Sequence, residues 1–382
     1  MEFFCLCMSP ALDASVSLPA WPSDGVIFKD VAETENVGGK GINVARWLAL
    51  RGAKVSCGGL LGADNAAPFE QELARCGIGD AFLRVPGATR RNEMIVTPGG
   101  SFKLNRPAFP KLPSDFDALK VIKVIKDFND INDSNALTHL NDPTRPNALT
   151  HLNDSNDLTH SNDSNDLNDP NDLNCLNSAP RVAILSGSLP PAVPKDFYAA
   201  ATRALKARGW TVALDASGEA LRLGVAAGPD LIKPNADECE PLVGFVPKTP
   251  DDLRRATEAL RAHAAHVIIS DGGVGAWFDG EFVAAPQVDV LDTTSAGDTL
   301  LAEYCWRMWG FEAAGKSPVM QGEGALPTGS DCERGRSCVD RAPSPCLDAA
   351  MWAVAAGSAA VTMPGSMPPS IELVKQLKEN IK

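Results

Sequence analysis

The seven residues Asp292-Thr293-Thr294-Ser295-Ala296-Gly297-Asp298 set small side chains between two carboxylates, where the flanking pattern marks a helix start. Phe282 to Val290 before them reads as a strand, and Thr299 to Met308 after them carries helical spacing. A helix start leaves backbone N–H groups unpaired and bears partial positive charge, so it is a ready anion site. Ser295, Ala296 and Gly297 put little side chain in the way of a phosphate reaching those N–H groups. Asp298 falls in the first turn, beside such an anion. A carboxylate there can take a proton from a hydroxyl that attacks phosphorus. The same residue types also make an ordinary helix cap, so this stretch alone leaves both roles open.

Two glycine-rich segments also fall in the N-terminal part of the chain. Gly38-Gly39-Lys40-Gly41 precedes a helical pattern from Ile42 to Leu50, but the Walker spacing of a phosphate-binding loop is absent. Gly58-Gly59-Leu60-Leu61-Gly62 does not match the dinucleotide fingerprint. Glycines ahead of a helix let backbone approach a ligand, and Lys40 suits an anionic one.

The elements that must position these residues alternate. Strands are predicted at Phe3–Met8, Val55–Leu60, Val182–Leu185, Thr211–Leu214, Leu231–Ile232 and Val267–Ser270. Helices are predicted at Ala66–Cys76, Asp196–Arg208, Asp251–His263, Leu347–Met363 and Ser370–Asn380, with another from Asp115 to Phe128 capped by Ser114. This is the pattern of a mostly parallel sheet with helices on both faces, an α/β fold. Val16–Leu18, Val26–Val31 and a hairpin of Arg91–Thr97 with Ser101–Asn105 across Pro98-Gly99-Gly100 read as a second, smaller sheet. Ser9 to Asp13 reads as the end of the first strand.

Composition sets further bounds. The formal net charge is −13, of which residues 129–177, with nine Asp and one Arg, hold −8. The remaining −5 is ordinary for a cytoplasmic enzyme, and no basic face is offered to nucleic acid. No apolar run approaches the length of a membrane span, and Met1–Pro10 is too short and lacks the basic start of a secretory leader. Residues 129–177 repeat Asn135–Asp142 unchanged at Asn147–Asp154 and contain few large apolar side chains. Such a segment is expected to be a low-complexity insertion, disordered or weakly structured, in a single domain formed by residues 1–128 and 178–382. His139, His151 and His160 within it make a metal-binding tract a weaker alternative. Residues 312–345 read as a second, irregular loop insertion. Cys332 and Cys338 there, with Cys346 just beyond, match no common zinc spacing, and the apolar-segment cysteines Cys5, Cys57, Cys76, Cys239 and Cys305 read as reduced core residues.

Taken together, the chain resembles the ribokinase-like PfkB carbohydrate kinases. Gly38-Gly39-Lys40-Gly41-Ile42-Asn43-Val44-Ala45 is similar to that family's N-terminal signature, and Asp292 to Asp298 to its C-terminal one. Lys233-Pro234-Asn235 followed by Glu238 is similar to its Lys-Pro-Asn-x-x-Glu segment, and Ser186-Gly187-Ser188-Leu189-Pro190 is familiar too. The resemblance covers Phe3 to about Gly365 outside the two insertions. It implies a ribokinase-like fold in which the small sheet, from about residues 16–37 and 91–105, is a lid. Ser9-Pro10-Ala11-Leu12-Asp13, Lys40, Thr89-Arg90 with Asn92, and Asn105 fit the branch acting on phosphorylated ketohexoses, the 1-phosphofructokinases and tagatose-6-phosphate kinases.

The resemblance implies ATP- and Mg²⁺-dependent phosphorylation of fructose 1-phosphate to fructose 1,6-bisphosphate. Tagatose-6-phosphate kinase and the family's 6-phosphofructokinase stay open as alternatives, as does a weak or inactive sugar-phosphate binder. Asp298 is then the general base, and the N–H groups of Ser295, Ala296 and Gly297 the anion hole. Asp13, Gly38, Gly39, Lys40, Asn43, Arg90 and Asn105 hold the sugar phosphate. Lys233, Asn235, Ser270, Gly272 and Gly275 hold ATP, and Asn235 and Glu238 organise Mg²⁺ through water. The lids of this family often pair, so a homodimer is also implied. Two departures stand out: Ser295 where the family usually has Gly, and the extra carboxylate of Asp271.

Overall fold

The computed structural model describes residues 1–21, 27–29, 31–109, 112, 113, 116, 118, 120–122, 181–310 and 345–381. The 129–177 and 312–344 segments, with Cys332 and Cys338, and most of the expected helix between 115 and 128, lie outside the described residues.

A nine-stranded sheet forms the body, in the order β13-β12-β11-β10-β9-β8-β1-β4-β5. Its strands are β1 (Glu2–Cys7), β4 (Lys54–Gly62), β5 (Gly79–Val85), β8 (Arg181–Ser186), β9 (Thr211–Asp215), β10 (Leu231–Ile232), β11 (His266–Asp271), β12 (Gly275–Phe278) and β13 (Glu281–Ala284). From β5 to β11 every pairing is parallel, and β12 and β13 add an antiparallel edge. The central strands are apolar throughout because both faces are covered. On β1, Phe3, Cys5 and Cys7 face one core, and Phe4 and Leu6, with Met8 just after the strand, face the other.

Helices α1 (Lys40–Leu50), α2 (Ala67–Arg75), α7 (Ala296–Cys305), α8 (Pro345–Ala360) and α9 (Ile371–Glu379) pack against the first core. Helices α3 (Phe197–Lys206), α4 (Gly218–Val225) and α6 (Pro250–Leu260) pack against the second. A short α5 (Glu240–Val243) precedes α6. Helix α7 runs on into one π turn at Trp306–Gly310. Below that junction Glu303 is wholly buried and is met by Trp47 Nε1 at 2.9 Å, Arg307 Nε at 2.8 Å and Arg51 Nε at 3.2 Å. That cluster neutralises a charge that burial would otherwise make costly. Among the described residues all cysteines are free, and burial pushes the Cys7 thiol up to about 11. Among the described residues no helix is long and apolar enough to cross a membrane.

A separate four-stranded sheet has the order β3-β2-β6-β7: β3 (Ala32–Gly38), β2 (Ala11–Ser17), β6 (Arg91–Thr97) and β7 (Gly100–Leu104). Three sequence expectations are corrected here. Ser9 to Asp13 does not simply end β1, since β2 begins at Ala11 and carries Asp13. The strand expected at Val26–Val31 is not found in its described part, Ile27–Lys29 and Val31, and its place beside β2 is taken by Ala32–Gly38, whose polar side chains suit an exposed edge. The strand expected at Phe282–Val290 stops at Ala284, because Pro286 cannot continue the antiparallel ladder. Strands β5 and β12 and helix α4 were not anticipated.

The chain reverses its direction of strand addition at β1, which has β4 on one side and β8 on the other. Parallel sheets open a crevice beyond the carboxyl ends of the strands at such a point.

Candidate active site

The crevice holds a cavity of about 490 Å³, roofed by the small sheet. Of the sugar-site candidates, Asp13, Gly39, Lys40, Asn43, Arg90 and Asn105 line it, together with Ser295, Gly297 and Asp298. Residues more than 200 positions apart are thus gathered from β2, the start of α1, the β5–β6 loop, the segment after β7 and the start of α7.

Ser295 is the N-cap of α7 and lies in the left-handed region, φ 65°. Asp292 sets up that turn: its Oδ1 accepts the Thr294 N–H at 2.8 Å and Oδ2 accepts Gly365 N–H at 3.2 Å. The chain can then enter α7 with its first N–H groups facing the crevice end of the helix. A left-handed serine costs about 1 kcal/mol relative to glycine.

Asp298, in the first turn, is only 5% exposed, and Asn43 Nδ2 donates to its Oδ2 at 2.8 Å. Burial raises its pKa, Lys40 lowers it, and Asp215 raises it again, for a net upward displacement. A carboxylate displaced upward is the better proton acceptor once ionised.

Asp215, at the end of β9, was not among the sequence candidates. It is fully buried and accepts from Lys40 Nζ at 3.2 Å on both oxygens, while Lys233 Nζ lies 3.3 Å from Oδ1. Burial alone would raise its pKa, but Lys233 and Lys40 together hold it below the usual carboxylate value. The available signal was an acid closing an apolar strand at the sheet's ligand-binding edge. Lys233 is 4% exposed, and a Cβ on Gly297 would lie 3.4 Å from its Nζ, so its cation sits directly beneath the α7 start.

On the roof, Asn92 Nδ2 donates to Asp13 Oδ1 at 2.8 Å, and burial raises the Asp13 pKa. Asp13 lies over Gly38, where a Cβ would come within 1.9 Å of Oδ2. Only glycine lets the β3 strand pass that close. Arg90 is a half-buried hub: Nε, Nη1 and Nη2 donate to the carbonyls of Pro10, Arg106 and Ser9 at 3.3, 2.8 and 3.0 Å. It therefore shapes the rim as well as presenting a cation to it. Lys103 on β7, also unanticipated, donates to Thr294 Oγ1 at 2.8 Å and so ties roof to floor. A smaller recess of about 250 Å³ continues inward past Lys40 and Arg90 to Ser186, Ser188 and Glu238.

Ser270, Gly272 and Gly275 line a different cavity of about 450 Å³ on the other side of the α7 start. Its walls include Val288, Leu300, Val354 and Val361, suiting a flat apolar group, and Ala296 and Gly297 border it too. The two cavities thus meet at the helix N-terminus. A Cβ on Gly275 would meet Val283 O at 2.2 Å, so glycine is required where β12 crosses β13. Asp271 closes the β11–β12 turn through its carbonyl. Asn235 and Glu238 cap each other: Glu238 Oε2 accepts Asn235 N–H at 3.0 Å, and Asn235 Oδ1 accepts Glu238 N–H at 2.8 Å.

Comparison with known proteins bears on the family and the fold. The sequence matches the pfkB family carbohydrate kinases over residues 18–101 and 129–303. It is 32% identical to the 1-phosphofructokinase of Rhodobacter capsulatus, over 77% of this chain and 80% of that one. It is 30% identical to the 1-phosphofructokinase of Escherichia coli K12, over 69% and 70%. In three dimensions it is similar to Escherichia coli phosphofructokinase-2 in complex with substrates and products, with a TM-score of 0.70, 21% identity, and 100% and 99% of the two chains covered. A possible 1-phosphofructokinase of Thermotoga maritima matches with a TM-score of 0.65 at 17% identity, over 100% and 98%. The fold is therefore ribokinase-like, and the chain belongs to the pfkB family of carbohydrate kinases, enzymes that transfer phosphate to a sugar alcohol.

Proposed function

We propose that this kinase transfers the γ-phosphoryl group of ATP to the 6-hydroxyl of fructose 1-phosphate, giving fructose 1,6-bisphosphate and ADP. The observation that carries the proposal is the placing of a buried carboxylate, Asp298, in the first turn of a helix whose free N–H groups separate two cavities. The polar cavity suits the sugar phosphate and the apolar one the adenine.

In this reading the sugar oxygen attacks phosphorus while Asp298 takes its proton, and the bond to the ADP oxygen breaks. The N–H groups of Ser295, Ala296 and Gly297, with Lys233 below them, stabilise the charge on the phosphoryl oxygens. Asn43 holds Asp298 in place, and Asp13 and Asn105 receive sugar hydroxyls. Lys40 and Arg90 offer cations to the substrate's own phosphate. Ser270, Gly272 and Gly275 leave room for the nucleotide.

Among the described residues no group of three or more His, Cys, Asp or Glu side chains could cage a metal. The donors Glu238 and Asn235 fit Mg²⁺ held mainly by nucleotide phosphates and water, as that ion prefers. When bound, Mg²⁺ supplies charge neutralisation at the phosphates. Assembly follows the exposed lid: Trp21 and Phe102 pack edge to face, 5.6 Å apart, on its surface, and a homodimer through that surface is part of the proposal.

The 1-phosphofructokinase relatives favour fructose 1-phosphate over tagatose 6-phosphate and fructose 6-phosphate. The test is ADP release with each of these three and with unphosphorylated fructose. The highest kcat/KM is expected with fructose 1-phosphate. A higher value with either 6-phosphate would reassign the substrate, and no ADP release with any of them would refute the activity.

A further inference from the structure

We propose that Arg46 is a positioning residue for the base: it fixes which end of the Asn43 amide faces Asp298. The proposal rests on the reading of Asp298 as the base.

Arg46 lies one turn after Asn43 on α1, so both side chains share a face. It is 7% exposed, and every nitrogen of its guanidinium is engaged. Nε donates to Glu72 Oε1 at 2.7 Å and Nη2 to the Val37 carbonyl at 2.8 Å. Nη1 donates to Ser366 Oγ at 3.2 Å and to Asn43 Oδ1 at 3.4 Å. A guanidinium only donates, and a carboxylate only accepts. An amide placed between them has one good orientation, with oxygen toward Arg46 and nitrogen toward Asp298. In the reverse orientation its oxygen would face a carboxylate and its N–H₂ a cation.

The other groups around Asp298 do not settle this choice. Lys40 faces it from α1, Asp215 from the end of β9 and Lys233 from beyond β10, and their ion pairs run to one another. Arg46 itself is faced by Glu72 from α2, which Arg75 shares at 2.8 Å, and it acts electrostatically on Asp13 of β2. Through Val37 and Ser366 the same guanidinium joins the root of the lid to the loop beyond α8. The base is thereby held by a residue that itself lines neither the sugar cavity nor the nucleotide cavity.

The test compares kcat against pH, with ATP, Mg²⁺ and fructose 1-phosphate, for the wild-type full chain, Arg46→Ala, Arg46→Lys, Glu72→Gln and Asp298→Asn. A hydrogen bond from Asn43 favours the charged carboxylate, so its loss raises the pKa of the base. Arg46→Ala is expected to lower kcat about tenfold, the scale of one lost hydrogen bond to a charged group, and to move the acid limb to higher pH. KM for ATP should change less than about twofold, since Arg46 is remote from the nucleotide cavity. Arg46→Lys and millimolar guanidinium added to Arg46→Ala should each restore part of the rate. A folded Arg46→Ala with an unmoved acid limb overturns the proposal, even if it melts earlier, because a purely structural role predicts that result. Should Arg46→Ala not fold, Glu72→Gln decides in the same way, by a smaller shift in the same direction or none. Near-normal turnover of Asp298→Asn would instead remove the base reading, and this inference with it.

Discussion

Asp298 and Asp215 are both buried carboxylates in one crevice, yet their neighbours drive them in opposite directions. Burial dominates at Asp298 and displaces its pKa upward, while at Asp215 two lysines outweigh burial and displace it downward. Such divergence separates a group that must exchange protons from one that must stay charged. Asp298→Asn is expected to keep ligand binding, measured by calorimetry, and to lower kcat by orders of magnitude in a turnover assay. Its effect on stability follows from linkage. A raised folded pKa adds stability below the unfolded value, near 4, that is lost as pH rises through the folded value. The Asn variant should therefore melt higher than wild type at neutral pH, with the gain vanishing near pH 4. Asp215→Asn should show the reverse sign, destabilising most at neutral pH, where it leaves the nearly buried Lys233 unpaired. Ser295→Gly relieves a left-handed backbone and should stabilise by about 1 kcal/mol in thermal melts, with kcat equal or higher.

At the scale of elements, the site is a set of loop ends braced against one another. Arg90, from the β5–β6 connection, grips the β1–β2 turn through Ser9 and Pro10 and the segment after β7 through Arg106. Lys103 joins β7 to the approach to α7. The roof is stiffened along its own strands as well, where Arg91 meets Glu33, Glu35 and Glu93. Arg90→Ala removes both a cation and a brace. It should raise KM for the phosphorylated sugar more than KM for ATP, because the nucleotide cavity has no wall from this loop. Equal changes in steady-state kinetics would show that Arg90 acts only as a brace.

At the scale of the molecule, two apolar cores sandwich one sheet, and we propose that residues 129–177 are an insertion in the chain that builds them. Strand β8 begins at Arg181 and pairs in register with β1 at the centre of the sheet. Described apolar residues pack on both faces of that pairing. The interrupting segment has too few large apolar residues to offset its ordering entropy in a packed core. Deleting it is expected to leave the melting temperature within a few degrees of the full chain and kcat/KM nearly unchanged. A large drop in melting temperature would show that the segment packs against the sheet.

Periodicity and punctuation carried most of the body: the buried runs of β1, β4, β8, β9 and β11 and the helices that alternate with them were legible because both sheet faces are covered. Where burial is one-sided the signal was weak, as at β3, a polar edge strand, and β13, cut short by Pro286. The family's signatures also marked Asp298, Asn43 and Lys233 as candidates, since helix starts and glycine turns are local features. Asp215, Arg46 and Lys103 could not be found that way. Each acts through partners on other elements: Asp215 through Lys40 and Lys233, Arg46 through Glu72 and Ser366, and Lys103 through Thr294. Local residue type could name groups able to move a proton or meet a phosphate. Which charges neutralise one another, and hence which carboxylate stays basic, depends on distances of a few ångströms in a low-dielectric crevice, and only the folded chain brings those groups within that range.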